Sequence, residues 1–190
     1  LIFGISGQDG SYLAKLLVSK SYQIHGVSRN VESHKFLSLK TLNIFNHVIL
    51  HNVNITNFNE TFDIIKKTNP DEIYNLSGQS SVGLSFSQPI ETFESIALGV
   101  LNILESLRLL ESNAKFYNAS SSECFGETNN IPADETTPFC PKSPYAVAKV
   151  AAHWQVVNYR QGYGIFACSG ILFNHESPLR SEKFVTQKII

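Results

Sequence analysis

Several features are scarce in this chain of 190 residues, and each scarcity excludes a class of protein. The chain has three cysteines, an odd number, and they are far apart without any C-x-x-C pair. This spacing argues against a disulfide framework or a structural zinc site and favours the reducing cytoplasm. Charged residues make up only 16% of the chain, and the formal net charge is −1. Without a basic surface or an apolar run of membrane-spanning length, we expect neither nucleic acid nor membrane as a partner.

Methionine is also missing, and the chain begins at Leu1 directly in an apolar segment and stops at Ile190 without a helix-terminating signal. We therefore expect the chain to be a fragment of a longer protein. The histidines are scattered without metal-ligand spacing, so no metal site is predicted.

Strand-like and helix-like segments alternate along the chain. The strand-like segments are 1–6, 23–28, 47–51, 72–76, 115–119 and 165–173, and the helix-like segments are 12–19, 58–67, 91–110 and 145–163. This alternation predicts an α/β fold with a doubly wound parallel sheet, the NAD(P)-binding Rossmann arrangement, over residues 1–173. Its ligand binds at the carboxyl ends of the strands, where the polar and glycine residues of this chain cluster.

Tyr145 and Lys149 are separated by four positions on a helix that we expect to start at Pro144. This spacing puts both side chains on one helical face, where the lysine ammonium can stabilise a phenolate. Such a tyrosine can act as a base towards a sugar or alcohol hydroxyl. The motif alone is weak, because tyrosine and lysine are both common on helix surfaces.

Three glycines, Gly4, Gly7 and Gly10, form a G-x-x-G-x-x-G pattern between the first strand and the first helix. Glycines at such a turn allow close backbone approach, and the helix N-terminus presents N–H groups and a positive dipole end to a pyrophosphate. The alternative is a glycine-rich turn without a ligand. The strand–turn–helix context favours a dinucleotide site.

The residue that ends the second strand selects the cofactor. This chain has Arg29 there instead of an acidic residue, and a guanidinium suits the 2′-phosphate of NADP. A solvated surface arginine is the alternative. Asn54, at the end of the third strand, can accept a hydrogen bond from adenine or serve as a turn residue.

Ser120, Ser121 and Ser122 follow the fifth strand and precede Glu123. A serine beside a Tyr/Lys pair hydrogen-bonds the reacting hydroxyl, although it can also cap backbone groups. Glu123 can remove a carbon-bound proton and so assist elimination of water. A solvated glutamate without a role is the alternative.

With these residues in view, the chain resembles the extended short-chain dehydrogenase/reductase superfamily and, within it, the GDP-mannose 4,6-dehydratase family. The resemblance runs along nearly the whole chain, and its sharpest stretch is GILFNHESPLR at 170–180. The other specific stretches are GISGQDGSYLAKLL at 4–17, DEIYNLSGQSSV at 71–82, SSSECFG at 120–126 and ETTPFCPKSPYAVAK at 135–149.

The resemblance implies a role for each site residue. The catalytic set is Ser121, Glu123, Tyr145 and Lys149, and the substrate set is Ser121, Glu123, Asn174 and Glu176. NADP contacts fall on Gly4, Gly7, Gln8, Asp9, Gly10, Arg29, Asn54, Ile55, Leu76, Gln79, Ser80, Lys149, His175 and Arg180. Residues 174–190 begin the substrate lobe, most of which lies outside this chain, and the full-length protein is expected to be a homo-oligomer.

Several residues depart from the family pattern. Ser121 stands where threonine is usual, Asn30 where a second arginine is usual, and Glu91 where an aromatic residue is common. Asn54 stands where aspartate is typical. The loss of the second arginine weakens the prediction of NADP.

The activity that the resemblance implies is a lyase reaction on a GDP-sugar. Oxidation at C4 acidifies the C5 proton, water leaves from C6, and the hydride returns to C6, which gives a GDP-4-keto-6-deoxy sugar. A nucleotide-sugar epimerase or reductase of the same superfamily is the alternative, because it needs the Tyr/Lys pair but no second base. A non-catalytic dinucleotide-binding module is a remote alternative.

Overall fold

A computed structural model of the chain describes residues 1–32, 36–180 and 188–189. Six strands form one parallel sheet in the order β3-β2-β1-β4-β5-β6. The strands are β1 (Ile2–Phe3), β2 (Ile24–Ser28), β3 (Val48–Asn52), β4 (Glu72–Asn75), β5 (Lys115–Ser121) and β6 (Ala167–Leu172). The strand order reverses between β1 and β4, which opens a crevice at their carboxyl ends. The doubly wound α/β fold is confirmed.

Seven α-helices connect or flank these strands in the described part of the chain. They are α1 (Gln8–Ser19), α2 (Leu37–Thr41), α3 (Phe58–Thr68), α4 (Val82–Ser87), α5 (Pro89–Phe93), α6 (Gly99–Leu109) and α7 (Pro144–Tyr163). A π-helical turn, Glu94–Leu98, joins α5 to α6, so the long helix predicted at 91–110 is interrupted. The sequence did not reveal α2 and α4, because five or six residues are too few to display helical periodicity.

Two element boundaries differ from the prediction in ways that matter for the site. The first strand ends at Phe3 rather than at residue 6, because Gly4 has φ +85° and turns the chain out of the sheet. The fifth strand runs on to Ser121, two residues past the predicted end. Ser121 is therefore held on the sheet, not in a loop.

The sheet is apolar on both faces. Phe3, Val27 and Phe116 pack on the side of α3, α6 and α7, whereas Ile2 and Ile24 pack on the side of α1 and α2. Parallel strands that are covered on both faces carry apolar residues at successive positions, as Ile2 and Phe3 do. The core thus fixes the strand ends on which the polar residues lie.

Within the described residues, no helix combines the length and the apolar character needed to cross a bilayer.

Candidate active site

The glycine turn between β1 and α1 is closely packed. A Cβ at Gly4 would lie 2.6 Å from the carbonyl oxygen of Leu76, and a Cβ at Gly10 would lie 2.9 Å from Cα of Ile5. The Gly7 N–H donates to the Gly4 carbonyl at 3.1 Å, and Gly7 is the residue that caps α1. Because Gly7 has no side chain to cap the helix, the amino end of α1 can present its N–H groups to an anion.

A cleft of about 570 Å³ opens in front of this turn. It extends along the carboxyl ends of β1, β2, β3 and β4. The predicted cofactor residues that line it are Gly4, Gly7, Gln8, Asp9, Gly10, Arg29, Asn54, Ile55, Leu76, Ser80 and Arg180. Residues from distant parts of the sequence therefore meet at one cleft.

Arg29 and Asn54 both line the cleft. Nη1 of Arg29 lies 3.4 Å from Oε1 of Glu91, and both side chains are more than half exposed. Oδ1 of Asn54 accepts a hydrogen bond from the N–H of Thr56 at 3.2 Å, which is the geometry of an Asx turn. Asn54 therefore serves as a turn residue, which is one of the two roles that the sequence allowed. The contact of Asn54 with adenine stays a prediction.

A buried pair of asparagines joins the neighbouring strands β4 and β5. Nδ2 of Asn75 donates to Oδ1 of Asn118 at 3.0 Å, and Oδ1 of Asn75 accepts from the hydroxyl of Ser77 at 2.6 Å. Sequence reasoning missed both asparagines. The available signal was the Tyr-Asn pair that occurs in both β4 and β5, whose residues are paired in register.

The side chain of Gln79 is held by Ser81 of the same loop and by Thr92 of α5. Its Nε2 donates to the carbonyl of Ser81 at 2.8 Å and to Oγ1 of Thr92 at 3.2 Å, and its Oε1 accepts from the N–H of Ser81. The backbone N–H of Gln79 donates to Oγ of Ser95, a cleft residue that sequence reasoning also missed. These contacts give Gln79 a structural role, and its cofactor contact stays a prediction.

The second cavity, of about 140 Å³, adjoins the first and shares Asp9, Leu76 and Arg180 with it. The predicted residues that line it are Asp9, Leu76, Gln79, Ser80, Ser121, Tyr145, Lys149, Asn174, His175 and Arg180. Ser143 caps α7 by accepting from the N–H of Ala146 at 3.1 Å, and Pro144 is the first residue of the helix, as predicted. This start places Tyr145 and Lys149 one turn apart on the face that meets the sheet.

The electrostatics of the Tyr/Lys pair differ from the expectation. Lys149 is buried, its Nζ donates to the carbonyl of Ala119 at 2.8 Å, and desolvation lowers its pKa to about 8. Burial raises the pKa of Tyr145 above 10, and a hydrogen bond from Ser121 opposes this rise. The net shift of the Tyr145 pKa in this structure is therefore upward, with burial as its main cause, and a lowering by Lys149 stays a prediction.

Ser121 and Glu123 are close in sequence but line different cavities. Oγ of Ser121 accepts from the N–H of Glu123 at 3.3 Å, so the capping role that the sequence allowed is present. The side chain of Glu123 is exposed and lines a third cavity, of about 520 Å³, together with Lys142 and Phe173. Phe173 also lines the cavity of Tyr145, so the two cavities meet at this side chain.

The segment after β6 contacts the glycine turn. Nε2 of His175 lies 2.9 Å from Oδ1 of Asp9, and the hydroxyl of Ser177 donates to Oε1 of Gln8 at 2.7 Å. Glu176 is exposed and pairs with Arg180, with Nε and Oε2 separated by 3.4 Å. Asn174 and Arg180 line the Tyr145 cavity, whereas Glu176 is directed to Arg180. Among the described residues, no three His, Cys, Asp or Glu side chains converge as a metal site.

A doubly wound sheet whose glycine turn and Tyr-x-x-x-Lys helix border two adjoining cavities defines the extended short-chain dehydrogenase/reductase class. Solved structures of this class are similar to the chain. The UDP-glucose 4-epimerase of Thermus thermophilus, in complex with NAD, has a TM-score of 0.77 and 26% identity over 88% of this chain and 52% of its own. The dTDP-glucose 4,6-dehydratase of Streptomyces venezuelae, with NAD bound, reaches a TM-score of 0.86 at 17% identity over 96% and 58%.

The chain belongs to the GDP-mannose 4,6-dehydratase family, whose family model matches residues 1–190. The GDP-mannose 4,6-dehydratase of Vibrio cholerae is 49% identical over the whole of this chain and 53% of that relative. The chain thus spans about half the length of the curated relatives that it matches.

Proposed function

We propose that the protein converts GDP-mannose to GDP-4-keto-6-deoxymannose and water, as an NADP-dependent lyase. The observation that carries this proposal is the pair of adjoining cavities, one in front of the glycine turn and one lined by the buried Tyr145 and Lys149. Membership of the dehydratase family supports the choice of reaction.

The cofactor would be held by the cleft in front of Gly4 and Gly10, where added side chains would collide with backbone. The N–H groups at the amino end of α1 suit a pyrophosphate, and Arg29 suits a 2′-phosphate. When bound there, the cofactor supplies a hydride acceptor that becomes the hydride donor within the same turnover.

The free thiols of Cys124, Cys140 and Cys168 support a reducing, cytoplasmic setting.

The chain's own residues divide the proton chemistry among them. Tyr145 takes the proton from the sugar 4-hydroxyl, and Ser121 hydrogen-bonds the developing carbonyl oxygen. Lys149 donates to the carbonyl of Ala119 and contributes positive charge beside the phenol ring, with Nζ 5.7 Å from the ring centroid. Glu123 takes the C5 proton once the ketone has acidified it and gives that proton to the C6 hydroxyl, which leaves as water.

We assign residues 1–173 to the cofactor domain and residues 174–190 to the beginning of the substrate lobe. Residues 181–187 and 190 of that lobe lie outside the described part.

Large apolar side chains are exposed on two of the helices, namely Ile90 and Phe93 on α5 and Trp154 on α7. These exposed side chains support self-association of the whole protein.

Product analysis of the whole protein with GDP-mannose tests the proposed reaction. A product lighter than the substrate by the mass of one water supports the dehydratase, and Tyr145→Phe should abolish its formation. An isomer of unchanged mass would favour an epimerase instead. Comparison of NADP and NAD as cofactors tests the choice of dinucleotide.

A further inference from the structure

The guanidinium of Arg29, in the lining of the cleft, has an acidic neighbour. Arg29 follows β2 and lines the cleft, and Glu91 lies in the first turn of α5, 62 residues further along the chain. Their closest atoms, Nη1 and Oε1, are 3.4 Å apart. Both side chains are more than half exposed, with exposed fractions of 67% for Arg29 and 53% for Glu91.

The Glu91 carboxylate weakens the binding of a phosphate to Arg29. A phosphomonoester carries a charge of about −1.5 to −2 near neutral pH, and any phosphate on Nη1 would lie close to the Glu91 carboxylate. Like charges at such a separation near a surface repel, and the carboxylate also competes for the same N–H donors. Both effects weaken binding of a dinucleotide that carries a 2′-phosphate.

The same carboxylate suits a dinucleotide without that phosphate. A carboxylate accepts hydrogen bonds only, and an acidic residue near the adenosine ribose accepts one from a free 2′-hydroxyl. In the usual arrangement this acid lies at the end of the second strand, whereas here Arg29 directly follows β2. The acidic group in this chain comes from α5, a different element, and its Oε1 lies 3.4 Å from Nη1 of Arg29.

We propose that Glu91 is a specificity-determining residue of the cofactor site, which narrows the preference of Arg29 for NADP over NAD. This inference rests on the proposed function only in requiring a nicotinamide dinucleotide in the cleft. It makes the choice of cofactor a balance between two side chains rather than a property of Arg29 alone.

Calorimetric titration of the whole protein with NADP and with NAD tests this proposal. Glu91→Gln should tighten NADP binding by about five-fold at low salt, and the gain should shrink at high salt because the repulsion is screened. Binding of NAD should stay unchanged or weaken slightly. Glu94→Gln is the matched control, because it removes the same charge from an exposed position of the next helical turn.

An unchanged ratio of NADP to NAD affinity in Glu91→Gln would overturn the inference and leave the proposed function intact. An equal gain from Glu94→Gln would also overturn it, since the effect would then be one of net charge. Failure of both dinucleotides to bind the unmutated protein would overturn the inference and the proposed function together. Thermal unfolding of each variant checks that the exposed substitution leaves the fold intact.

Discussion

Nε2 of His175 lies 2.9 Å from Oδ1 and 3.0 Å from Oδ2 of Asp9, although 166 residues separate them along the chain. Nδ1 of the same ring lies 2.8 Å from the carbonyl oxygen of Phe173. Both neighbours are acceptors, so both contacts are hydrogen bonds only when the imidazole is protonated at both nitrogens. The Phe173 carbonyl and then Asp9 raise the pKa of His175 above 6.5.

This contact makes the attachment of the segment after β6 dependent on pH. A base whose folded-state pKa is raised stabilises the fold fully below its unfolded pKa of about 6.5, and this stabilisation is lost as the pH rises through the folded pKa. His175→Gln should therefore lower the free energy of unfolding at acidic pH and have little effect at alkaline pH. The side chains are 46% and 40% exposed, so the difference should stay below about 1 kcal/mol.

Urea unfolding of both proteins across this pH range measures the difference. Asp9→Asn should produce the same loss at acidic pH, because it removes the other partner of the contact. A difference between His175→Gln and the unmutated protein that does not change with pH would contradict this account.

Lys149 should make the protein more stable as the pH rises above neutrality. Burial lowers the pKa of Lys149 from 10.5 to about 8, so between these values the unfolded chain binds more protons than the folded one. Relative to Lys149→Met, the free energy of unfolding should increase by about 2 kcal/mol between about pH 7.5 and pH 9.5. Chemical denaturation at matched pH values measures this increase, and a flat difference would show that the ammonium is well solvated.

The close packing of the glycine turn can be tested by substituting Gly10, which lies in the turn, and Gly162, which lies in α7 and serves as the comparison. Gly10→Ala should destabilise the protein by about 1–3 kcal/mol, because its Cβ would collide with the Gly4 carbonyl and approach Cα of Ile5. Gly162→Ala should stabilise it by about 0.5–1 kcal/mol, because Gly162 is in α7 and its added Cβ would meet open space. Thermal unfolding measures both effects, and equal shifts from the two substitutions would refute the close packing.

Arg29→Ala should weaken NADP binding by about ten-fold and leave NAD binding unchanged, because only the 2′-phosphate loses a charged partner. Arg108→Ala is the control, since Arg108 is on α6 and pairs with Glu105. Calorimetry with both dinucleotides separates the outcomes. An equal loss for NADP and NAD would assign Arg29 a structural role.

Local patterns in the sequence were enough to predict the sheet, the glycine turn and the helix of Tyr145. Each depends on residues that are close in sequence, such as Gly4 with Gly10 or Ser143 with Pro144. Two contacts, Arg29 with Glu91 and Asp9 with His175, join segments that are far apart in the sequence. A local sequence pattern cannot predict such contacts. The pKa of Tyr145 was also beyond prediction, because it depends on how far the fold buries the phenol and on where Lys149 is directed.

The role of Glu123 gives the most direct test of the proposed dehydratase. We expect solvent deuterium at C5 of a dehydrated product when the whole protein converts GDP-mannose in heavy water. Glu123→Gln should bind NADP normally but release no water and incorporate no deuterium. Glu127→Gln is the matched control, because Glu127 is exposed and lines the same cavity as Glu123, and it should behave like the unmutated protein. Dehydration at a near-normal rate by Glu123→Gln, or a wild-type product without deuterium at C5, would contradict the mechanism.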